Sequence, residues 1–124
     1  MFKSKQSKTL KYVTTLSSVF VLFLSPLAHA ASELWSTDGF LNPESALYDS
    51  QRNIVYVSNV NGGPMDKDGA GHISRLSVEG EMLDAQWITG LNAPKGLIQH
   101  ENKLYVTDID QLVAIDVDLS LIHI

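Results

Sequence analysis

The sequence predicts an all-β fold, and three observations lead to this prediction. Short runs rich in β-branched and aromatic residues, such as residues 54–58 (Ile-Val-Tyr-Val-Ser), are bounded by clusters of turn-forming residues. Residues 72–78 alternate polar and apolar side chains, which is the period-two pattern of a half-buried strand. After residue 30, no helix-length window has apolar residues recurring at intervals of three and four.

The predicted strands follow one another at short intervals. Polar turn residues separate the first two strands at residues 49–53, and a long loop with four glycines spans residues 59–71. Glu79-Gly80 and Ile109-Asp110 supply two further turns. The predicted strands span residues 46–49, 54–58, 72–78, 82–88, 96–100, 103–108 and 111–116.

A seven-residue phrase occurs twice in the chain. Residues 53–59 (Asn-Ile-Val-Tyr-Val-Ser-Asn) return as residues 102–108 (Asn-Lys-Leu-Tyr-Val-Thr-Asp), and the lead-in at 43–47 corresponds to that at 94–98. A period of about fifty residues built from short strands is typical of the four-stranded blades of a β-propeller. A sandwich is the alternative, although sandwich strands do not repeat with the same side chains. The expected product is a propeller fragment with one complete blade and part of a second, within residues 31–118.

Residues 1–30 are predicted to be a signal peptide. Four lysines with no acidic residue precede an apolar stretch at residues 13–24, and Ala28-His29-Ala30 provides the small residues of a cleavage site. An uncleaved membrane anchor is the alternative, but about a dozen apolar residues are short for a span of ~20. The pattern is bacterial in type, so we expect a periplasmic or secreted protein with no stable membrane anchor after cleavage.

The charge and cysteine content exclude several classes of function. Removing residues 1–30 leaves five basic and fourteen acidic residues, a formal net charge of −9. Nucleic-acid partners are therefore not expected, because phosphate binding needs clustered lysine and arginine. The absence of cysteine excludes disulfides, thiolate chemistry and cysteine-ligated zinc.

The last six residues, 119–124 (Leu-Ser-Leu-Ile-His-Ile), end without a turn or a closing strand. This hexapeptide resembles the in-frame translation of a transposase adapter used in preparing sequencing libraries. An ordinary apolar strand is the alternative that its residue types permit. The artefact interpretation divides the chain into a signal peptide (1–30), a partial propeller (31–118) and an adapter-derived tail (119–124).

Two stretches resemble a known family. Residues 44–49 with residues 53–59 are similar to the opening blade of the gluconolactonase family, which includes senescence-marker protein and luciferin-regenerating enzyme. Residues 90–97 with residues 104–108 look like the Pro-x-Gly-Leu repeat of that family and of NHL propellers. The resemblance implies a six-bladed parent protein with one divalent metal at the mouth of its central channel. Its implied activity is hydrolysis of sugar lactones or similar small esters.

By this resemblance Glu44 is a metal ligand, and its oxygen atoms suit Ca²⁺, with Zn²⁺ also possible. The metal would polarise the lactone carbonyl. The alternative role for Glu44 is an exposed carboxylate in a turn. The corresponding lead-in of the second repeat carries Lys95, and a protonated lysine cannot ligate a metal. The remaining ligands are expected beyond residue 118, and no catalytic residue can be named.

Other motifs in the chain give no support for further cofactors. The loop at residues 66–71 lacks the glycine and glutamate spacing of an EF-hand, and the chain has no phosphate-binding glycine motif. The leading hypothesis is an exported gluconolactonase-like propeller segment that acts on a small-molecule substrate. The alternative is a non-catalytic NHL-type propeller that binds a ligand or a protein partner.

Overall fold

The computed structural model describes residues 31–123, which form two antiparallel four-stranded sheets and, within that range, no helix. The all-β prediction is therefore confirmed. The strand order is sequential in each sheet, β1-β2-β3-β4 and β5-β6-β7-β8. The strands are β1 (Pro43–Asp49), β2 (Ile54–Asn59), β3 (Gly71–Ser77), β4 (Met82–Leu91), β5 (Pro94–His100), β6 (Lys103–Asp108), β7 (Gln111–Asp116) and β8 (Leu121–His123).

Both copies of the repeated phrase form the second strand of a sheet. Tyr56 in β2 pairs with Leu47, and Tyr105 in β6 pairs with Ile98, so the two repeats have equivalent registers. Asn53 and Glu101 adopt positive φ angles of 54° and 53° in the turns that precede these strands. The repeat in the sequence is thus a repeat of strand pairing as well.

The second sheet differs from the sequence-based expectation of an incomplete blade. Its fourth strand, β8, is three residues long and comes from the tail at residues 119–124. Ile122 pairs with Ile115 of β7, and the Oγ of Ser120 accepts a hydrogen bond of 2.9 Å from Nε1 of Trp87. The second sheet therefore has four strands, because residues of the apolar tail pair with the edge of β7 that does not face β6.

The main hydrophobic core lies where the two sheets pack against each other. β5 contacts β1, β2 and β3, and it contacts β1 most extensively. The centroid of the Tyr56 ring lies 5.3 Å from that of Trp87, and the Arg75 guanidinium carbon lies 4.9 Å from the centroid of the same tryptophan. The buried members of this core are Tyr56, Ile73, Ile88, Leu91, Leu104, Val106, Val113, Ile115 and Val117.

The predicted signal peptide lies outside the described residues. No helix within residues 31–123 is long and apolar enough to cross a membrane.

A buried carboxylate links the β1–β2 turn to the second sheet. Burial raises the pKa of Asp49, but hydrogen bonds from Arg52, from Gln99 and from the backbone N–H groups of Arg52 and Gln51 outweigh this effect, so the pKa lies below 3.8. The donors lie 2.9–3.2 Å from its oxygens. Asp49 therefore stabilises the β1–β2 turn by hydrogen bonds within it and also accepts a hydrogen bond from a residue of β5.

This carboxylate predicts an acid-sensitive component of stability. The pKa of Asp49 is lower in the folded than in the unfolded protein, so its contribution is complete above about pH 3.8 and is lost as the pH falls through the folded value. We expect the free energy of unfolding, measured by urea titration at a series of pH values, to fall less steeply with acid in Asp49→Asn than in the unsubstituted protein. Parallel pH profiles of the two proteins contradict this assignment.

Candidate functional site

Glu44 is the second residue of β1 and is exposed. It lies at an irregularity of the β1–β2 ladder between Pro43 and Ser45. Its neighbours line an open cavity of about 310 Å³ whose walls are mainly apolar. The lining residues are Trp35, Phe40, Pro43, Glu44, Ser45, Ala46, Val55, Val57 and Leu76. This site can accept an apolar group beside one carboxylate.

The cavity is bounded on one side by the segment that precedes β1. Nε1 of Trp35 donates a hydrogen bond of 2.9 Å to the carbonyl of Val78, and the Thr37 hydroxyl donates one to the carbonyl of Gly80. Gly80 has a positive φ of 84°, and a Cβ atom there would lie 2.6 Å from the ring of Trp35. The close approach of the indole to the β3–β4 turn therefore depends on glycine at this position.

Lys95 occupies the corresponding position at the start of β5, and its ammonium group is bound by the backbone. Its Nζ donates hydrogen bonds to the carbonyls of Pro64, at 2.8 Å, and Ala93, at 3.1 Å. The first of these ties the long loop after β2 to the second sheet. The two lead-ins are thus equivalent in sequence position but differ in charge and in contacts.

Polar residues at the ends of β2 and β6 hold the chain segments before β1 and β5 in place. The side-chain oxygen of Asn59 accepts a hydrogen bond of 3.0 Å from the N–H of Leu41. At the equivalent position, the carboxylate of Asp108 accepts bonds from the N–H groups of Asn92, at 2.9 Å, and Ala93, at 2.7 Å. This role was not predicted from the sequence, although a polar residue ends the repeated phrase in both copies.

Ser58 connects the first strands of the two sheets. Its hydroxyl oxygen accepts a hydrogen bond of 3.1 Å from the N–H of Ser45, and its O–H donates one of 2.7 Å to the carbonyl of Lys95. Ser58 is fully buried, so this link is shielded from water. It holds the start of β5 beside β1. The residues that it joins are Lys95 and Ser45, and Ser45 directly follows Glu44 in the sequence.

The charged side chains of the long loop after β2 form contacts within the loop and with the β6–β7 turn. Asp66 accepts a hydrogen bond from the N–H of Gly63, and Asp68 accepts one from the N–H of Ala70. Lys67 forms an exposed ion pair of 2.6 Å with Asp110 in the β6–β7 turn. These contacts organise the loop as an inter-strand connection, and the loop does not have the arrangement of a calcium-binding EF-hand.

The residues present do not complete a metal site around Glu44. Across residues 31–123, no group of three or more histidine, aspartate or glutamate side chains is placed to hold a metal ion. Glu44 offers a single carboxylate, whereas Ca²⁺ takes six to eight oxygen ligands. The assignment of Glu44 as a metal ligand therefore stays a prediction, and no catalytic step can be derived from the described residues.

Comparison with protein-family models, with curated proteins and with solved structures found no match to this chain.

Proposed function

We propose that the two sheets are adjacent blades of a β-propeller. What supports this is the way the sheets contact each other: the first strand of one sheet lies against the first strand of the other. Blades arranged around an axis meet most closely at their innermost strands, whereas the sheets of a sandwich cover each other along all their strands. The sequential strand order of both sheets fits the same arrangement.

The two packed faces are not equivalent, which also favours a propeller. The first sheet contributes the face with Tyr56 and Ile73, and the second contributes the face with Leu104 and Val106. By the repeat, Tyr56 corresponds to Tyr105, which lies on the opposite face of its own sheet. A contact between two different faces of a repeated unit continues in one direction around an axis, and it closes into a ring if the rotation permits.

The function we propose for the complete ring is hydrolysis of sugar lactones or similar small esters, dependent on a divalent metal. Glu44 supports this proposal because it is exposed at the start of the innermost strand, beside an open cavity. Glu44 would supply one oxygen ligand, and blades beyond this segment would supply the others. The bound metal would act as a Lewis acid towards the carbonyl of the substrate.

A non-catalytic propeller that binds a ligand or a protein is the second candidate. The observation that favours it is the contact of Lys95 with two backbone carbonyls, because the second repeat then offers no ligand at the position of Glu44. Such a propeller would use the rim around the starts of β1 and β5 for binding alone.

Removal of the Glu44 carboxylate tests the proposed metal site. In a protein that contains this segment and the remaining blades, we expect Glu44→Gln to lose bound Ca²⁺ or Zn²⁺, measured as metal per chain by elemental analysis after dialysis. The rate of lactone hydrolysis, measured by the release of protons, is expected to fall together with the metal content. Glu79→Gln is the matched control, since Glu79 is also exposed but lies in the β3–β4 turn.

An unchanged metal content in Glu44→Gln refutes the ligand assignment. A second outcome favours the non-catalytic alternative: Glu44→Gln loses its metal, but the unsubstituted protein does not hydrolyse lactones either.

A further inference from the structure

A second cavity, of about 320 Å³, is lined by residues of both sheets and lies near the end of β1 that is farther from Glu44. Asp49 ends β1 five residues after Glu44, which is roughly 16 Å along a strand. The cavity is therefore separate from the candidate metal site. We call it the turn cavity, because the turns after β1 and β5 contribute to it. Its lining includes Asp49, Ser50, Gln51, Gln99 and Glu101.

The turn cavity stays open in the propeller proposed above. Every lining residue lies in β1, in β5 or in the turn that follows one of them. These are the first strands of their sheets, and within the described residues each of them pairs along one edge only. In the proposed arrangement the innermost strands surround the central channel, so further blades leave this cavity accessible from the channel.

One hydrogen-bond acceptor at the cavity is held in a fixed orientation. Nε2 of Gln99 donates hydrogen bonds to the buried carboxylate of Asp49, at 2.9 Å, and to the carbonyl of Glu101, at 3.3 Å. These bonds use both hydrogens of the amide, and no described residue donates a hydrogen bond to its oxygen. An acceptor that is already oriented lowers the cost of ordering when a ligand binds.

Three exposed side chains add further free hydrogen-bonding groups. Within residues 31–123, the side chains of Ser50, Gln51 and Glu101 make no hydrogen bond to the protein. The hydroxyl and the amide can both donate and accept, whereas the carboxylate accepts only. The turn cavity thus combines donors and acceptors from two turns that are distant in the sequence.

The backbone of Glu101 has a conformation that favours glycine. Its φ is 53°, and Glu101 is the first of the two residues between β5 and β6, a position where glycine is common in hairpins. A positive φ is uncommon for a residue with a side chain, and such residues concentrate at ligand sites. The hairpin itself does not account for a glutamate here, whereas a contact between its carboxylate and a ligand does.

We propose that the turn cavity binds one small, uncharged, polyhydroxylated molecule of the size of a monosaccharide. Each hydroxyl group of such a ligand donates and accepts, which matches the free groups of Ser50, Gln51 and Gln99. The volume lies at the lower end of the range for small-molecule sites, about 300–1,000 Å³, so it suits a single small ligand.

The charges at the turn cavity favour an uncharged ligand over an anion. The Asp49 carboxylate is paired with Arg52 at 3.1 Å, so its charge is compensated. Within the described part of the chain, the Glu101 carboxylate has no such partner, and it repels a second negative charge. This inference rests on the proposed propeller arrangement and does not depend on a metal at Glu44.

The first test measures binding to a protein that contains this segment and the remaining blades. The probes are D-glucose, D-galactose, D-mannose and myo-inositol, each titrated in a calorimeter. We expect at least one of them to bind saturably at one site per chain. D-Glucuronate and D-glucosamine, which carry a negative and a positive charge, are expected to bind more weakly than the best uncharged compound.

The second test locates the bound compound with Glu101→Gly and Gln51→Leu. Each variant removes hydrogen-bonding groups from the turn cavity, so we expect the affinity to fall by about three- to tenfold. The thermal midpoint of Glu101→Gly is expected to stay the same or rise, because glycine adopts a positive φ readily. Glu79→Gly and Gln86→Leu are the matched controls, since both residues are exposed but lie in the β3–β4 turn and in β4.

Binding of none of the four uncharged compounds overturns the proposal. An unchanged affinity in Glu101→Gly or in Gln51→Leu also overturns it, as does tighter binding of either charged compound. Glu44→Gln is expected to keep the affinity for the uncharged compound, and a loss of that affinity would place the ligand at the metal site instead. Loss of metal alone in Glu44→Gln has no bearing on these outcomes, so the two proposals fail separately.

Discussion

Leu104→Ala is expected to lower the free energy of unfolding by about 2–5 kcal/mol, which is the cost of a cavity at a buried leucine. Leu104 is fully buried in β6 and belongs to the core between the two sheets. A domain of this size has a total stability of about 5–15 kcal/mol, so the loss is a large fraction of the whole. The measurement is chemical denaturation followed by circular dichroism. Both proteins are compared at one protein concentration, so that any dependence of the apparent stability on concentration is the same for both.

Leu83→Ala is the control for this prediction. Leu83 lies in β4 and is 44% exposed, so the same truncation removes far less buried surface. Its effect is expected to stay below about 1 kcal/mol. Equal losses in the two variants contradict the location of the core between the sheets.

Asp108→Ala is the second substitution with a large expected effect. The buried carboxylate accepts two backbone hydrogen bonds, and alanine would leave the N–H groups of Asn92 and Ala93 without these acceptors. An unsatisfied buried donor costs about 1–3 kcal/mol, so we expect a loss of about 2–4 kcal/mol. We also expect faster hydrogen exchange at these two amides, which mass spectrometry or NMR detects.

Asp110→Ala is the matched control, because Asp110 is only two residues away but is exposed. Its carboxylate pairs with Lys67 at the surface, and exposed ion pairs contribute little to stability. If Asp110→Ala destabilises the protein as much as Asp108→Ala does, the loop before β5 is not held by the contact described. Retention of slow exchange at Asn92 and Ala93 in Asp108→Ala leads to the same conclusion.

Seven of the strands could be predicted from the sequence. A run of β-branched and aromatic residues between turn residues forms a strand in both repeats, because these preferences act over a few neighbouring residues. The predicted ends lay within a few residues of the observed ones for the first seven strands. β8 was not predicted as part of the fold, because residues 119–124 were assigned to an adapter-derived tail and an apolar strand was only the alternative.

The candidate site was predictable only in part. Glu44 was singled out through a family resemblance, and it does lie exposed at the start of β1. The two carbonyls that bind Lys95 come from Ala93 and from Pro64 in a distant loop, so spacing in the sequence could not indicate them. The paired roles of Asn59 and Asp108 were missed for the same reason, because their partners lie 15 to 18 residues away along the chain.

Local patterns in the sequence are sufficient to indicate a protein built from β-strands in which a unit of about fifty residues occurs twice. The environment of each unit follows instead from the way the two sheets pack. Tyr56 and Tyr105 hold the same place in the repeat, yet Tyr56 is buried in the core and Tyr105 lies on the open face of the second sheet. Strand formation follows from local preferences, whereas burial depends on which face of another sheet covers the side chain.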